Sequence, residues 1–227
     1  MSIVVKQGIE TAAELLDLIE RLGGIPPHRV MMRPTPGEAT EADLLDHIKR
    51  RKRNCELIDG VIVEKATGNG EASIVGWLLR CMHAYVLSRP LGCFISGGGM
   101  VRLRRRLVRA PDLSFIRWDK LPDGMFDMSP IGKILPDLAI EVISVGNTKA
   151  EIERKIGEYF LAGIEAVWIV DHFQRVVVVY TSPEDAVTLA ETDTLDGGTV
   201  FPGLDLPVAR IFEPVPPTKR PSRRKKS

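Results

Sequence analysis

Apolar residues recur at helical spacing in four stretches of the chain, with short β-branched runs between them, and this order sets the first expectations of fold. From Glu10 to Leu22, the residues Leu15, Leu16, Ile19 and Leu22 form one stripe, which Gly23-Gly24 and Pro26-Pro27 bring to an end. Thr40 to Lys49 repeats the form, with Thr40 as cap and Glu41 to Asp43 placing acid where the helix dipole favours it. The longest stripe lies in Glu71 to Ser88, where Ile74, Val75, Leu78, Leu79, Met82, Tyr85 and Val86 make a face wide enough to dock on a sheet. Thr148 to Ala162 is the fourth, framed by a Thr148 capping box with Glu151 at N3 and by Gly163 at the C-terminus.

Strand-like runs fill the intervals. Cys55 to Val63 holds two runs around Asp59-Gly60, the signature of a hairpin turn. Cys93 to Ile95, Met100 to Leu103, Leu113 to Ile116 and Leu138 to Ile143 are β-prone and separated by loops, Gly97-Gly98-Gly99 among them, which predicts a meander. Ala166 to Asp171 and Arg175 to Tyr180 are β-branched runs that do not alternate cleanly, so both faces are expected to be covered. Val187 to Ala190, Val200 and Pro202-Gly203 suggest further edge strands. Helices and strands in this order predict an α+β or mixed α/β fold.

Composition narrows the class. Apolar residues make up 44% and charged residues 27% of 227 residues, an ordinary globular balance. We read residues 1–53 as a helical extension, 54–213 as the main domain and 214–227 as a basic tail. No run of about 18 apolar residues occurs, so no membrane span is expected. The N-terminus lacks a basic-then-apolar leader, which makes a cytoplasmic location the default. Cys55, Cys81 and Cys93 are odd in number and widely spaced, against both a disulfide framework and a zinc site, and His28, His47, His83 and His172 share no metal spacing. Net charge is +1, yet the last nine residues hold Lys219, Arg220, Arg223, Arg224, Lys225 and Lys226; taking these six from 31 basic residues leaves 25 against 30 acidic. Such an arm, interrupted by Pro214, Pro216, Pro217 and Pro221, is a candidate contact for nucleic-acid phosphates; a solvated tail is the alternative.

The candidate chemistry sits on two acidic strands. In Pro136 to Ile143, alternation puts Asp137, Ala139 and Glu141 on one face and Leu138, Ile140 and Val142 on the other. Asp137 and Glu141 are then about 13 Å apart along the strand, too far to share an ion directly. Asp112, in Arg109 to Ile116, completes the pair if its strand lies beside Glu141, because cross-strand Cβ atoms approach to about 5 Å. Mg²⁺ or Mn²⁺ suits one or two carboxylates with water and phosphate completing the shell. Lys155 lies on the border of the Ile152, Ile156 and Tyr159 stripe; its amine points either at those carboxylates or, with its stem covering apolar surface, at solvent. Glu71 opens the long helix as a cap or as a site residue, and Glu56 ranks lower as a ligand.

These residues resemble the Uma-type restriction-endonuclease-like family, a branch of the PD-(D/E)XK nuclease superfamily. The resemblance spans roughly Cys55 to Phe212 and rests on Glu56-Leu57-Ile58-Asp59-Gly60, Pro111 to Ile116, Pro136 to Ser144, Asn147 to Glu151, and Lys155 with Tyr159 and Gly163. It implies a restriction-endonuclease-like core, a mixed central sheet flanked by helices, with Asp112 and Glu141 as the acids of the two motif elements. It also implies a metal-dependent nuclease acting on nucleic acid, with DNA as the expected substrate and a homodimer as the expected assembly. Ile143 stands where the superfamily has its lysine, which the resemblance moves to Lys155, and Glu71 stands where the family often has histidine. Catalytic roles are therefore expected of Asp112, Glu141, Lys155 and Glu71, and metal ligation of Asp112, Glu141 and, secondarily, Asp137. A non-catalytic nucleic-acid-binding or interaction module with the same fold is the alternative.

Overall fold

A computed structural model describes residues 9–66 and 68–213 of the chain. The first helices are α1 (Ala12–Arg21) and α2 (Glu41–Arg51), each opened by a threonine capping box, Thr11 with Glu14 and Thr40 with Asp43. Strands β1 (Cys55–Ile58) and β2 (Val61–Glu64) form an antiparallel hairpin. Its turn places Asp59 and Gly60 at φ of 50° and 82°, the left-handed pair that a two-residue turn demands. Helix α3 (Asn69–Ser88) buries Ile74, Leu78, Met82 and Tyr85, each apolar side chain contributing about 1.5–3 kcal/mol of transfer free energy.

The next strands are β3 (Gly92–Ser96), β4 (Met100–Arg104), β5 (Leu107–Arg109), β6 (Leu113–Arg117), β7 (Ile131–Gly132) and β8 (Leu138–Val142). Helix α4 (Lys149–Ala162) follows, then β9 (Ala166–Asp171), β10 (Val176–Tyr180), β11 (Ala186–Leu189), β12 (Thr194–Gly197), β13 (Phe201–Pro207) and the short α5 (Ala209–Phe212). The fold is mixed α+β, as the periodicity predicts. The expected meander is corrected: β4, β5 and β7 join the hairpin in a sheet ordered β2-β1-β5-β4-β7, whereas β3, β6 and β8 belong to one ordered β11-β10-β9-β8-β6-β3. The chain thus crosses between the two sheets more than once, first after β3, where Gly97 and Gly98, at φ of 71° and 89°, turn it towards β4.

Strands β8 and β9 are parallel, which requires a crossover, and α4 supplies it. Leu138, Ile140 and Val142 face a core shared with α3, β13 and α5. Ala139 faces the other way, against Ile152, Ile156 and Tyr159 of α4. The six-stranded sheet is thereby covered on both sides, which explains the unbroken apolar runs of β9 and β10.

From α1 onward the N-terminal extension packs on the first sheet. Leu18, Leu22 and Ile25 meet Ile58, Val61 and Leu107, while Ala39 and Leu44 meet Leu57, Ile62 and Val108 on the opposite face. Arg29 grips Glu151 through two hydrogen bonds of 2.9 and 2.7 Å, and both side chains are buried. This changes the capping box expected on α4. Thr148 does accept from the Glu151 amide at 3.0 Å, but the Glu151 carboxylate turns to Arg29. A charge-assisted bidentate pair outcompetes one backbone amide.

Candidate active site

Strand β6 runs antiparallel to β8 with Leu113 opposite Ile140, so one further step of that register sets Asp112 against Glu141. The Val142 amide donates to Asp112 Oδ2 at 2.8 Å and ties the carboxylate to the neighbouring strand. Glu141, on the α4 side of β8, is 2% exposed. Opposite it, α4 presents Ile152, Lys155, Ile156 and Tyr159 at helical spacing, and all four are buried. Lys155 lies inside this stripe: its Nζ is 3.2 Å from Glu141 Oε2 and 3.5 Å from Glu56 Oε1, at 1% exposure. The Tyr159 hydroxyl donates to Glu141 Oε1 at 2.5 Å.

Lys65, just after β2, closes the arrangement from the other side. Its Nζ lies 2.9 Å from Asp112 Oδ1 and 3.3 Å from Glu141 Oε2, and it also donates to the Ala110 carbonyl. One ammonium therefore occupies the point on which both carboxylates converge. Behind it, Glu56 accepts from Arg109 Nη1 at 2.7 Å and from the Ala110 amide at 3.0 Å. Arg109 in turn donates to Glu158 through Nε at 2.7 Å and Nη2 at 2.5 Å. Lys65, Lys155 and Arg109 thus face Glu56, Asp112 and Glu141, with Glu158 as a further partner of Arg109.

These pairings set the charge states. Burial opposes ionisation of Glu56, but Lys155, Arg109 and Lys65, with the Ala110 amide, outweigh it and hold the carboxyl well below the ordinary range. Burial likewise works against the Lys65 ammonium, and Glu141, Asp112 and Glu56 overcome that and raise its pKa. For Tyr159, burial and then repulsion from Glu141 and Glu56 push the phenol well above its usual value, so it remains a donor. A depressed folded-state pKa contributes stability present above the unfolded value of about 4.3 and lost as pH falls through the folded one. Stability should therefore decline from about pH 5 downward, and Glu56→Gln should flatten that decline in urea titrations run at successive pH values. An unchanged slope would contradict the charge state assigned to Glu56.

A cleft of about 550 Å³ opens on one side of this cluster, with Lys65, Glu71, Asp112, Asn54 and the Gly97-Gly98 turn among its walls. Glu71 is 8% exposed and folds back over Gly68, where an added Cβ would lie 2.7 Å from its Oε2. Asp112, Glu141 and Lys155 are brought together as expected, and Glu71 shares the cleft with Asp112. Asp137 is not among them. It sits at the far end of β8, where its carboxylate lies 2.7 Å from Arg117, 2.9 Å from Lys120 and accepts from the Arg117 amide at 2.8 Å. Three residues of extended strand, Leu138 to Ile140, lie between it and Glu141. The sequence reading did not select Lys65, Arg109 or Tyr159 and ranked Glu56 low. Lys219, Arg220, Arg223, Arg224, Lys225 and Lys226 lie outside the described residues.

Among the described residues, no group of three or more His, Cys, Asp and Glu side chains is arranged to hold a metal. Asp112 and Glu141 nevertheless fit a divalent cation by donor chemistry. Both offer hard oxygens, both converge on a single cationic position, and two carboxylates suffice when water and phosphate complete the shell. No helix of the described residues is long and apolar enough to cross a membrane.

The profile of the Uma2 family, described as "Putative restriction endonuclease", matches residues 41–209. None of the curated proteins matches the chain. Among solved structures, a "putative nuclease belonging to DUF820" from Anabaena variabilis superposes with a TM-score of 0.61 at 20% identity, covering 70% of this chain and 89% of that one. At this identity the likeness is one of fold.

Proposed function

Because the chain belongs to the Uma2 family of restriction-endonuclease-like proteins, we propose that it is a metal-dependent nuclease that hydrolyses phosphodiester bonds of DNA. The observation that carries the reading is the convergence of Asp112 and Glu141 on one cation, at the wall of an open cleft. Asp112 and Glu141 would hold Mg²⁺ or Mn²⁺ through their carboxylates, with the Val142 carbonyl as a further donor. The ion, when bound, supplies an activated water and charge on the scissile phosphate.

The two lysines divide the remaining work. Lys155, sealed behind Glu141 and outside the cleft, acts through that carboxylate as a positioning residue, and Tyr159 fixes its second oxygen. Lys65 lines the cleft, so with a metal held by the carboxylates its ammonium would face the phosphate instead. Glu71 shares that wall and orients water. The basic residues from Lys219 to Lys226 add phosphate contacts, and two subunits supply the two sites that a double-strand cut requires.

Calorimetric titration with Mn²⁺ tests the metal site. The unaltered protein should bind the ion, Asp112→Asn should lose it, and Lys65→Met should bind about tenfold more tightly because a competing cation is gone. No binding by any of the three would contradict the reading. It would favour the second one, a non-catalytic module in which lysines neutralise the carboxylates permanently, to which the pairing of Lys65 and Lys155 with Asp112, Glu141 and Glu56 also conforms.

A further inference from the structure

A second concavity, of about 490 Å³, lies on the other side of Lys65, with His28, His47, Arg51 and Arg53 in its wall. Glu64 is the acid that faces them, and it is paired with Arg53. Arg29 also reaches this wall, but Glu151 neutralises it. The basic residues come from three separate parts of the chain: the helical turn Pro27–Arg29 between α1 and α2, the end of α2 with the residues after it, and the end of β2. Lys65 lines both hollows, so the basic one adjoins the cleft that holds Asp112 with this side chain between them.

A bland explanation covers part of this. Basic residues at a helix C-terminus are favoured by the dipole, by about 0.3–1 kcal/mol each. That accounts for Lys49, Arg50 and Arg51, and Arg50 is paired with Asp46. It does not account for the run continuing through Lys52, which caps the helix in the left-handed conformation, to Arg53. Nor does it account for His28 arriving from another segment to face the same hollow. Among the described residues, Lys49, Arg51 and Lys52 make no ion pair, and all three are exposed. A concave, positively charged surface beside an acidic hydrolytic cleft has the chemistry to hold a polyanionic backbone, and phosphate contacts of this kind fix register without reading bases.

We propose that this hollow, centred on Arg51 and Arg53, binds the phosphate backbone of the nucleic acid flanking the scissile bond and feeds it past Lys65 to Asp112. The inference rests on the nuclease reading for its orientation and on the charged surface for its existence. Binding of a fluorescein-labelled 20-base-pair DNA duplex by the full-length protein, followed by anisotropy in EDTA across a sodium chloride series, tests it without turnover. The variant Arg51→Gln with Arg53→Gln should bind at least about tenfold more weakly at low salt, and its salt slope should fall by about two. Arg80→Gln with Arg89→Gln removes the same charge from α3, beyond Glu71 towards and past its far end, and should leave both nearly unchanged. Equal behaviour of the two variants, or no duplex binding by the unaltered protein, would overturn the proposal. A protein that binds through Arg51 and Arg53 yet cleaves nothing loses the nuclease reading alone; one that cleaves while indifferent to them loses this inference alone.

Discussion

Arg109→Met should destabilise the protein by about 3–5 kcal/mol, because removing one partner of a buried ion pair leaves the other charged and unsatisfied. Arg109 is fully buried and is the hub between Glu56, itself 1% exposed, and Glu158. Methionine keeps much of the volume of the side chain but none of its five donors. Two carboxylates would then lose their shared counter-ion, with Lys155 left as the nearer partner of Glu56 and Arg154 as that of Glu158. Urea denaturation measures the change, and for a chain of this length it corresponds to a fall in melting temperature of roughly 6–20 °C. Arg53→Met serves as the contrast. Its pair with Glu64 is exposed on the arginine side, and loss of such a solvent-screened contact should cost far less. Comparable losses for the two variants would show that the buried network contributes little beyond its packing.

The ease with which each feature can be read from sequence follows its physical range. Helix stripes and caps are local, so Thr40, Thr148 and Gly163 mark the ends of α2 and α4 in the sequence as in the fold. The Asp59-Gly60 turn is equally local, since only residues tolerant of positive φ close a two-residue hairpin. Asp112 and Glu141 are adjacent because two strands happen to pair in one register, which alternation suggests and which β6 and β8 realise. Lys155 carries a signal of its own: a lysine among Ile152, Ile156 and Tyr159 needs a buried counter-charge, and Glu141 with Glu56 supplies it.

Lys65 had no such mark. It follows a strand, among Glu64, Ala66 and Thr67, and only the tertiary fold, which carries the residue after β2 to Asp112 and Glu141, brings its amine to the carboxylates. Glu56 reads as a solvated strand residue until the whole hairpin proves to be covered on both faces, by α1 on one side and α2 on the other. Asp137 misled for the opposite reason. Alternation put it on the Glu141 face, but it lies just ahead of β8, where Arg117 and Lys120 claim it. The division of β3 to β8 between two sheets was equally hidden, because strand pairing is a long-range choice that short β-prone runs do not encode.

Glu141 is the ligand on which the metal site depends most, and Glu141→Gln is the substitution that isolates its charge. Glutamine keeps the shape and can still accept from Tyr159, while Lys155 retains Glu56 and Lys65 retains Asp112, so the fold should persist at reduced stability. What is lost is one of two anionic ligands, and with it several kcal/mol of metal-dependent transition-state stabilisation. Nicking of supercoiled plasmid in Mg²⁺ or Mn²⁺, with folding checked by circular dichroism, is the direct measurement. The unaltered protein should convert the plasmid to open circles, and Glu141→Gln should do so at least about a thousandfold more slowly. Equal rates for the two proteins, or no nicking by the unaltered one, would contradict the assignment.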